Sequence, residues 1–277
     1  MLFLPPYVPA AVVNMLAIWY GQRENHIQWA EASSRPLFVK SRVRQGENMS
    51  PTLFNVYIND LLQELKDTRI GCHICGQGSN NINYADDMVL LAPSIKAMRR
   101  LVQICEEYAN SHNLYNSKKS AIVAFKHNKK PLNITPIYLE GNELLVASQI
   151  KYLGHILTED MKDIEDMERQ RRAINIRAGM LSRQFYQCSD EVRKLLFKTY
   201  CIALYTFELW TQYPAVQWDK LKVCYNNANR QLMQLPRFCS ASTMFTEGRV
   251  NSFPALLRHR LASFRTYLET GFNLSLE

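Results

Sequence analysis

The sequence predicts an α+β fold, and two observations over its 277 residues predict it. Up to about residue 157, short apolar runs broken by Gly and Asn read as strands set between helical stretches. From Asp160 onward the apolar positions recur at helical spacing and the strand signals stop. The expected division is therefore 1–157, mixed, and 158–277, helical.

The elements follow in order. Residues 9–20 read as a helix that is apolar on most faces. Short strands are expected near His26–Trp29 and Leu37–Lys40, joined by a Ser33-Ser34-Arg35-Pro36 turn. Ser50 looks like an N-cap, with Pro51 at the first helical position. Leu53, Phe54, Tyr57, Ile58, Leu61, Leu62 and Leu65 then form a stripe of period 3.6. A Gly- and Asn-rich connection, Gly71–Asn81, precedes two apolar strand segments within Ile82–Ala92 that meet at Asp86-Asp87 as in a tight hairpin. Ser94–His112 is an amphipathic helix, and Ser120–Phe125, Ile137–Leu139, Glu143–Val146 and Lys151–Leu153 are short strands. Helices are expected over roughly 160–185, 190–212, 217–234 and 252–268.

Composition narrows the classes. Apolar residues make up 47% of the chain and charged residues 21%, which excludes a disordered tail. Lys and Arg number 33 against 25 Asp and Glu, a net charge of +8 that points to polyanionic partners. The excess is uneven: residues 1–160 carry 16 basic and 14 acidic side chains, residues 161–277 carry 17 and 11. The seven Cys are odd in number and mostly lie in helical or apolar runs, as expected of reduced thiols in an intracellular protein of nucleus or cytoplasm. The apolar stretch Leu195–Trp210 contains Lys198 and Glu208 and is shorter than the ~20 residues of a membrane span, so no membrane association is expected. Met1–Tyr20 lacks a basic leader segment and carries three prolines, unlike a signal peptide; such a start also suits a chain that begins within a larger protein.

Three groups of residues could carry chemistry. Asp86 and Asp87 place two carboxylates between apolar strands, which is costly unless a cation meets them; Mg²⁺ accepts one or two protein carboxylates together with phosphates. Asp-Asp is also an ordinary turn dipeptide. In Arg44-Gln45-Gly46, Arg44 can meet a phosphate, Gln45 a base or sugar edge, and Gly46 allows close backbone approach; the plainer reading is a loop feeding a capped helix. Cys72-His73-Ile74-Cys75 has zinc-like spacing but no second pair nearby, so a hairpin loop with free thiols is the alternative.

Taken together, these segments carry a resemblance. Arg44-Gln45-Gly46-x-x-x-Ser50-Pro51-x-Leu53-Phe54-Asn55-x-Tyr57-x-x-Asp60-Leu61 resembles motif B of the reverse transcriptases of non-LTR (LINE-type) retrotransposons. Tyr84-Ala85-Asp86-Asp87 is similar to their motif C, Asn116-x-x-Lys119-Ser120 to motif D, and Tyr152-Leu153-Gly154 to motif E, the primer grip. The four stand in the family's order. The resemblance implies RNA-templated DNA synthesis by two-metal phosphoryl transfer, with Mg²⁺ as cofactor and an RNA template, a DNA primer and deoxynucleoside triphosphates as partners; protein partners are unknown. It also implies a partial polymerase palm, an antiparallel sheet with helices over 1–157, followed by a helical thumb-like region.

By position, Asp86 and Asp87 are the implied metal ligands. Lys119 is the residue that neutralises or protonates the leaving pyrophosphate. Arg44, Gln45, Gly46, Ser50 and Pro51 approach template and nucleotide, and Tyr152, Leu153 and Gly154 place the primer. Arg169, Arg171, Arg172, Arg177, Lys194 and Lys198 fall where the thumb would meet the phosphate backbone; a solvated helix face balanced by nearby acidic residues is the simpler reading. Trp210, Trp218, Tyr225, Phe238 and Phe245 could stack on bases, but helical spacing makes most of them core aromatics and none is assigned to binding. The family's motif A aspartate lies upstream of the helix at residues 9–20, and neither Glu24 nor Glu31 has its context. The expectation is thus a truncated enzyme, weakly active or inactive alone; the alternatives are a non-catalytic remnant that at most binds nucleic acid, or a retroelement fragment without a role in its host.

Overall fold

The computed structural model describes residues 8–21, 24–38, 48–74, 76–112, 119–125 and 134–271. The chain divides into two compact units, residues 1–120 with 133–144, and residues 121–132 with 145–277. Among the described residues, helices combine with seven two-stranded sheets, six antiparallel and one parallel, the α+β mixture expected from the sequence.

In the first unit, α1 (Ala10–Gly21) buries Leu16 but leaves Val12, Met15, Ile18 and Trp19 exposed. Then β1 (Glu24–Asn25) pairs with β4 (Leu37–Phe38), and β2 (Gln28–Trp29) with β3 (Ala32–Ser33). The turn expected at Ser33–Pro36 lies instead at Ala30-Glu31. Ser34 continues the ladder: its N–H donates to the Ile27 carbonyl at 2.9 Å, and its hydroxyl accepts from the Ile27 N–H at 2.9 Å.

α2 (Ser50–Asp67) has its cap one residue earlier than expected. Met49 holds the cap position, its carbonyl accepting the first helical bond from Leu53, while Ser50 is already helical and Pro51 sits where its missing N–H costs nothing. The Gly71–Asn81 connection contains a hairpin, β5 (Cys72–Ile74) with β6 (Gln77–Ser79), and leads into β7 (Asn81–Tyr84) and β8 (Asp87–Leu90). α3 (Ile95–His112) packs on α2 through Leu61, Leu65, Leu101, Ile104 and Tyr108, and Met88 and Leu90 of β8 close this core. The chain passes into the second unit at β9 (Ala121–Ile122) and returns for the hairpin β10 (Tyr138–Leu139) and β11 (Asn142–Glu143).

The second unit continues with β12 (Leu145–Val146), parallel to β9, and the hairpin β13 (Gln149–Tyr152) and β14 (His155–Thr158). The change of composition near residue 157 lies inside this unit, where β14 packs on α4 (Ile164–Gln184). The expected helix over 190–212 is three pieces: α5 (Asp190–Leu196), a π turn Phe197–Cys201 and a 3-10 turn Phe207–Leu209. Thr206, at φ 67°, turns the corner before the last of these. The break lets Phe197, Cys201, Leu204, Phe207 and Trp210 all reach one core, which a straight helix could not do. α6 (Ala215–Leu232), α7 (Ala241–Gly248) and α8 (Phe253–Thr270) complete that core with α4. Two-turn α7 has no counterpart in the sequence reading, since it buries only Met244 and Phe245 and leaves no extended stripe.

Of the five aromatics, most of them expected in the core, Trp210, Tyr225 and Phe245 are buried and Trp218 packs against them, and Phe238 is 91% exposed. Burial pushes the Cys201 and Cys224 thiols up to about 11, which keeps them protonated and unreactive. No helix among the described residues is long and apolar enough to cross a membrane.

Candidate active site

The two aspartates stand at the tip of the β7–β8 hairpin. Tyr84 pairs with Asp87, so Ala85-Asp86 is a two-residue turn. Ala85 takes φ 51°, a left-handed conformation that costs a residue with a Cβ roughly 1–2 kcal/mol. Directly opposed residues of an antiparallel pair share a face. Asn81, Asn83, Met88 and Leu90 therefore face the helices, and Ile82, Tyr84, Asp87 and Val89 face away. Ile82 and Tyr84 are exposed, as are Asp86 and Asp87, so the carboxylates border an open sheet face.

An asparagine chain, which the motif reading missed, ties this tip to α2. Asn80 is buried and donates to the Leu65 and Ile70 carbonyls at 2.6 and 2.8 Å. Asn81 donates to Asn80 Oδ1 at 2.7 Å, and Asn83 donates to Asn81 Oδ1 at 2.5 Å. The sequence signal was there, three Asn within four residues before Tyr84, but Gly-Asn richness also marks a loop.

As a cation site the pair offers two hard oxygen donors open to solvent. Mg²⁺ takes one or two carboxylates with phosphate and water oxygens, so the residues fit as the protein's share of such a site. Among the described residues no three His, Cys, Asp or Glu stand together as a metal cluster. Cys72 lies in β5 with His73, while Cys75 is outside the described residues.

The other sequence-predicted residues divide as follows. Arg44, Gln45, Gly46 and Asn116 lie outside the described residues. Ser50 is buried at the start of α2, with Pro51 exposed beside it. Lys119 is exposed.

In the second unit, Tyr152 pairs with His155 across a two-residue turn, Leu153 at φ 45° and Gly154 at φ 82°. Both positive values belong to the hairpin turn whose twist matches its strands, and glycine adopts it without strain. Gly154 also lies against Tyr205: a Cβ there would sit 3.0 Å from the ring Cε1.

Asp166, fully buried on α4, holds the neighbourhood together. It accepts from the Ile156 N–H at 3.1 Å, Trp210 Nε1 at 2.9 Å and Arg169 Nε at 2.7 Å, with His155 Nδ1 at 3.2 Å. Burial alone would raise its carboxyl, but the hydrogen bonds from His155, Trp210, Arg169 and the Ile156 backbone outweigh it and hold the group down at about 2. Asp163, one turn earlier, accepts the Thr211 and Gln212 N–H groups at 2.7 and 2.6 Å.

Most of the cations expected on a phosphate-facing surface have partners. Arg169 is held by Asp166, and Arg171 clasps Glu168 through two bonds of 2.7 Å. Arg172 reaches the same carboxylate at 3.1 Å with its side chain 71% exposed. Hydrogen bonding from Arg171 pulls the Glu168 carboxyl down to about 2. Arg177 donates to the Tyr200 carbonyl, Lys194 meets Glu191, and Lys198 is exposed. Arg171 and Arg172 border an open groove of about 920 Å³ between α4 and α6, across from Lys220, Val216 and Val223.

A family model described as reverse transcriptase (RNA-dependent DNA polymerase) matches residues 6–157, more than half of the chain, including the β7–β8 hairpin and the turn of β13–β14. The chain belongs to the reverse transcriptase family. This reverse transcriptase domain is also 22% identical, over 262 residues, to a probable RNA-directed DNA polymerase from transposon BS of Drosophila melanogaster. The alignment covers 85% of this chain and 27% of that protein, so the chain spans about a quarter of the length of the curated relative it matches.

Proposed function

We propose that this reverse transcriptase domain works in RNA-templated DNA synthesis of the non-LTR, LINE-type kind. Residues 1–157 serve as part of the palm and residues 158–277 as a thumb-like region. The observation that carries the reading is the exposed Asp86-Asp87 pair at the β7–β8 turn, within the region that the family model matches.

In this reading Asp86 and Asp87 hold Mg²⁺ at the open sheet face. The bound metal supplies charge stabilisation for the attacking primer hydroxyl and the departing pyrophosphate. Lys119 offers a mobile ammonium to neutralise or protonate that pyrophosphate. Arg44, Gln45 and Gly46, leading to Ser50-Pro51, approach template and nucleotide; Tyr152, Leu153 and Gly154 place the primer strand.

Primer extension on an RNA template with a DNA primer, deoxynucleoside triphosphates and Mg²⁺ tests the reading. Metal-dependent extension that Asp86→Asn abolishes supports it; extension unchanged in Asp86→Asn points to a contaminating polymerase and removes the support. The exposed cations Arg172 and Lys198 favour a second reading, a non-catalytic chain that binds nucleic acid. Primer–template binding without any extension, even when Mn²⁺ replaces Mg²⁺, is the outcome that selects it.

A further inference from the structure

Resting on the reading of β13–β14 as the primer-holding hairpin, we infer that Tyr205 forms a second half of that grip and stacks its ring on the primer strand. Tyr205 lies 51 residues beyond Gly154, outside the stretch matched by the family model. Its ring edge nevertheless lies over the turn, with Cε1 and Cδ1 at 3.0 and 3.3 Å from the position of a Cβ on Gly154. The side chain is 55% exposed, so much of the ring stays open to solvent.

The backbone carrying this ring is fixed from below. The Tyr205 carbonyl accepts from Gln170 Nε2 at 2.6 Å and from Thr206 Oγ1 at 2.6 Å, and Gln170 is buried. Thr206 stands at φ 67°, a left-handed conformation that costs a β-branched residue free energy, and its hydroxyl lies 2.9 Å from His155 Nδ1. His155 is the residue after Gly154, and Asp166 touches both His155 and Thr206. One buried network thus fixes the turn and the tyrosine together, more polar structure than covering a glycine requires.

A half-open aromatic ring carried on a fixed backbone beside a turn is suited to stacking. In a paired primer the terminal base keeps an open face, and base–aromatic stacking there is tolerant of sequence and is lost on truncation to Ala at roughly 1–3 kcal/mol; tyrosine gives up only two side-chain torsions to provide it. Lys151, exposed two residues before the turn, adds a cation for the same strand's phosphates.

The test is binding of a labelled DNA-primer/RNA-template duplex by fluorescence anisotropy, with the full chain and its Tyr205→Phe, Tyr205→Leu and Tyr205→Ala variants. Stacking predicts that Phe stays within about twofold of the parent while Leu and Ala bind roughly tenfold more weakly. It also predicts a photo-crosslink from 5-iodouracil near the primer 3′ end to the peptide bearing Tyr205. If Leu binds as tightly as the parent and no adduct forms at Tyr205, the ring only covers Gly154 and this inference fails while the primer-holding reading stands. A parent chain that binds no duplex overturns both.

Discussion

The carboxylate of Asp166 and the indole of Trp210, 44 residues apart, meet through a 2.9 Å hydrogen bond in the core of the second unit. Arg169, Ile156 and His155 share the same carboxylate, so one buried charge joins α4, the β13–β14 hairpin and the segment before α6. Its pKa of about 2 lies below the ordinary 3.8, because the ionised form is the one the network stabilises. A lowered pKa of this kind adds stability above the unfolded value and loses it as pH falls through the folded one. The loss should fall between about pH 4 and pH 2 and amount to roughly 2 kcal/mol. Urea denaturation followed by tryptophan fluorescence should show this acid limb in the parent and a flatter one in Asp166→Asn. Asp166→Ala, which strands Arg169 beside an empty space, should cost about 3–5 kcal/mol at neutral pH.

Asp86 and Asp87 are a contrasting pair of carboxylates. Both are exposed at the β7–β8 turn and lie outside the core that α2, α3 and β8 form. Asp86→Asn should therefore change stability by less than about 0.5 kcal/mol. Under the proposed mechanism the same change should lower extension by ~100-fold or more, since a lost ligand also misplaces the attacking oxygen. Thermal melts and primer extension on one preparation separate the two effects. A variant that melts like the parent and extends like it would mark the extension as a contaminant's and remove the support for the site.

Gly154 carries two constraints that can be measured apart. Its φ of 82° penalises any Cβ by roughly 1–2 kcal/mol, and the Tyr205 ring at 3.0 Å adds a contact that the half-exposed ring can relieve by moving. Gly154→Ala should destabilise the second unit by about 1–3 kcal/mol. In the Tyr205→Ala background only the backbone part should remain, giving a coupling of roughly 0.5–1 kcal/mol in a double-mutant cycle. Zero coupling would mean that the ring does not rest on the turn.

These sites differ in how far the sequence disclosed them. The β7–β8 hairpin was legible because apolar runs on both sides of a polar pair are local properties, although the turn is Ala85-Asp86 and lies one residue before the expected Asp86-Asp87. The α2 stripe was legible for the same reason, and Leu53, Leu61 and Leu65 are its buried members. Asp166 was counted only among the acidic residues balancing a basic helix face, since nothing local shows that an acidic residue in a first helical turn will be buried against Trp210. The break at Thr206 was hidden for a related reason: Phe197, Cys201, Leu204 and Phe207 recur at helical spacing, and nothing local to Thr206 marks its left-handed turn. Of the cationic residues, the sequence showed the excess of charge but not which carboxylates already hold it.

That last distinction separates the cations by experiment. A cation neutralises a phosphate by releasing a bound counterion, each such contact adding about 0.9 to the slope of log K against log salt. Arg169 is pinned to the buried Asp166, so Arg169→Ala should destabilise the fold and leave the salt slope unchanged. Arg172 is 71% exposed and shares Glu168 with the better-placed Arg171, which makes its ion pair worth less than about 1 kcal/mol. It and exposed Lys198 have little to lose by turning to a phosphate. If the helical region grips a nucleic-acid backbone, Arg172→Ala and Lys198→Ala should each flatten the slope by about 1 with stability nearly unchanged. Duplex binding by anisotropy from 50 to 300 mM KCl checks this; slopes identical to the parent in both variants would show that these cations only solvate the helix surface.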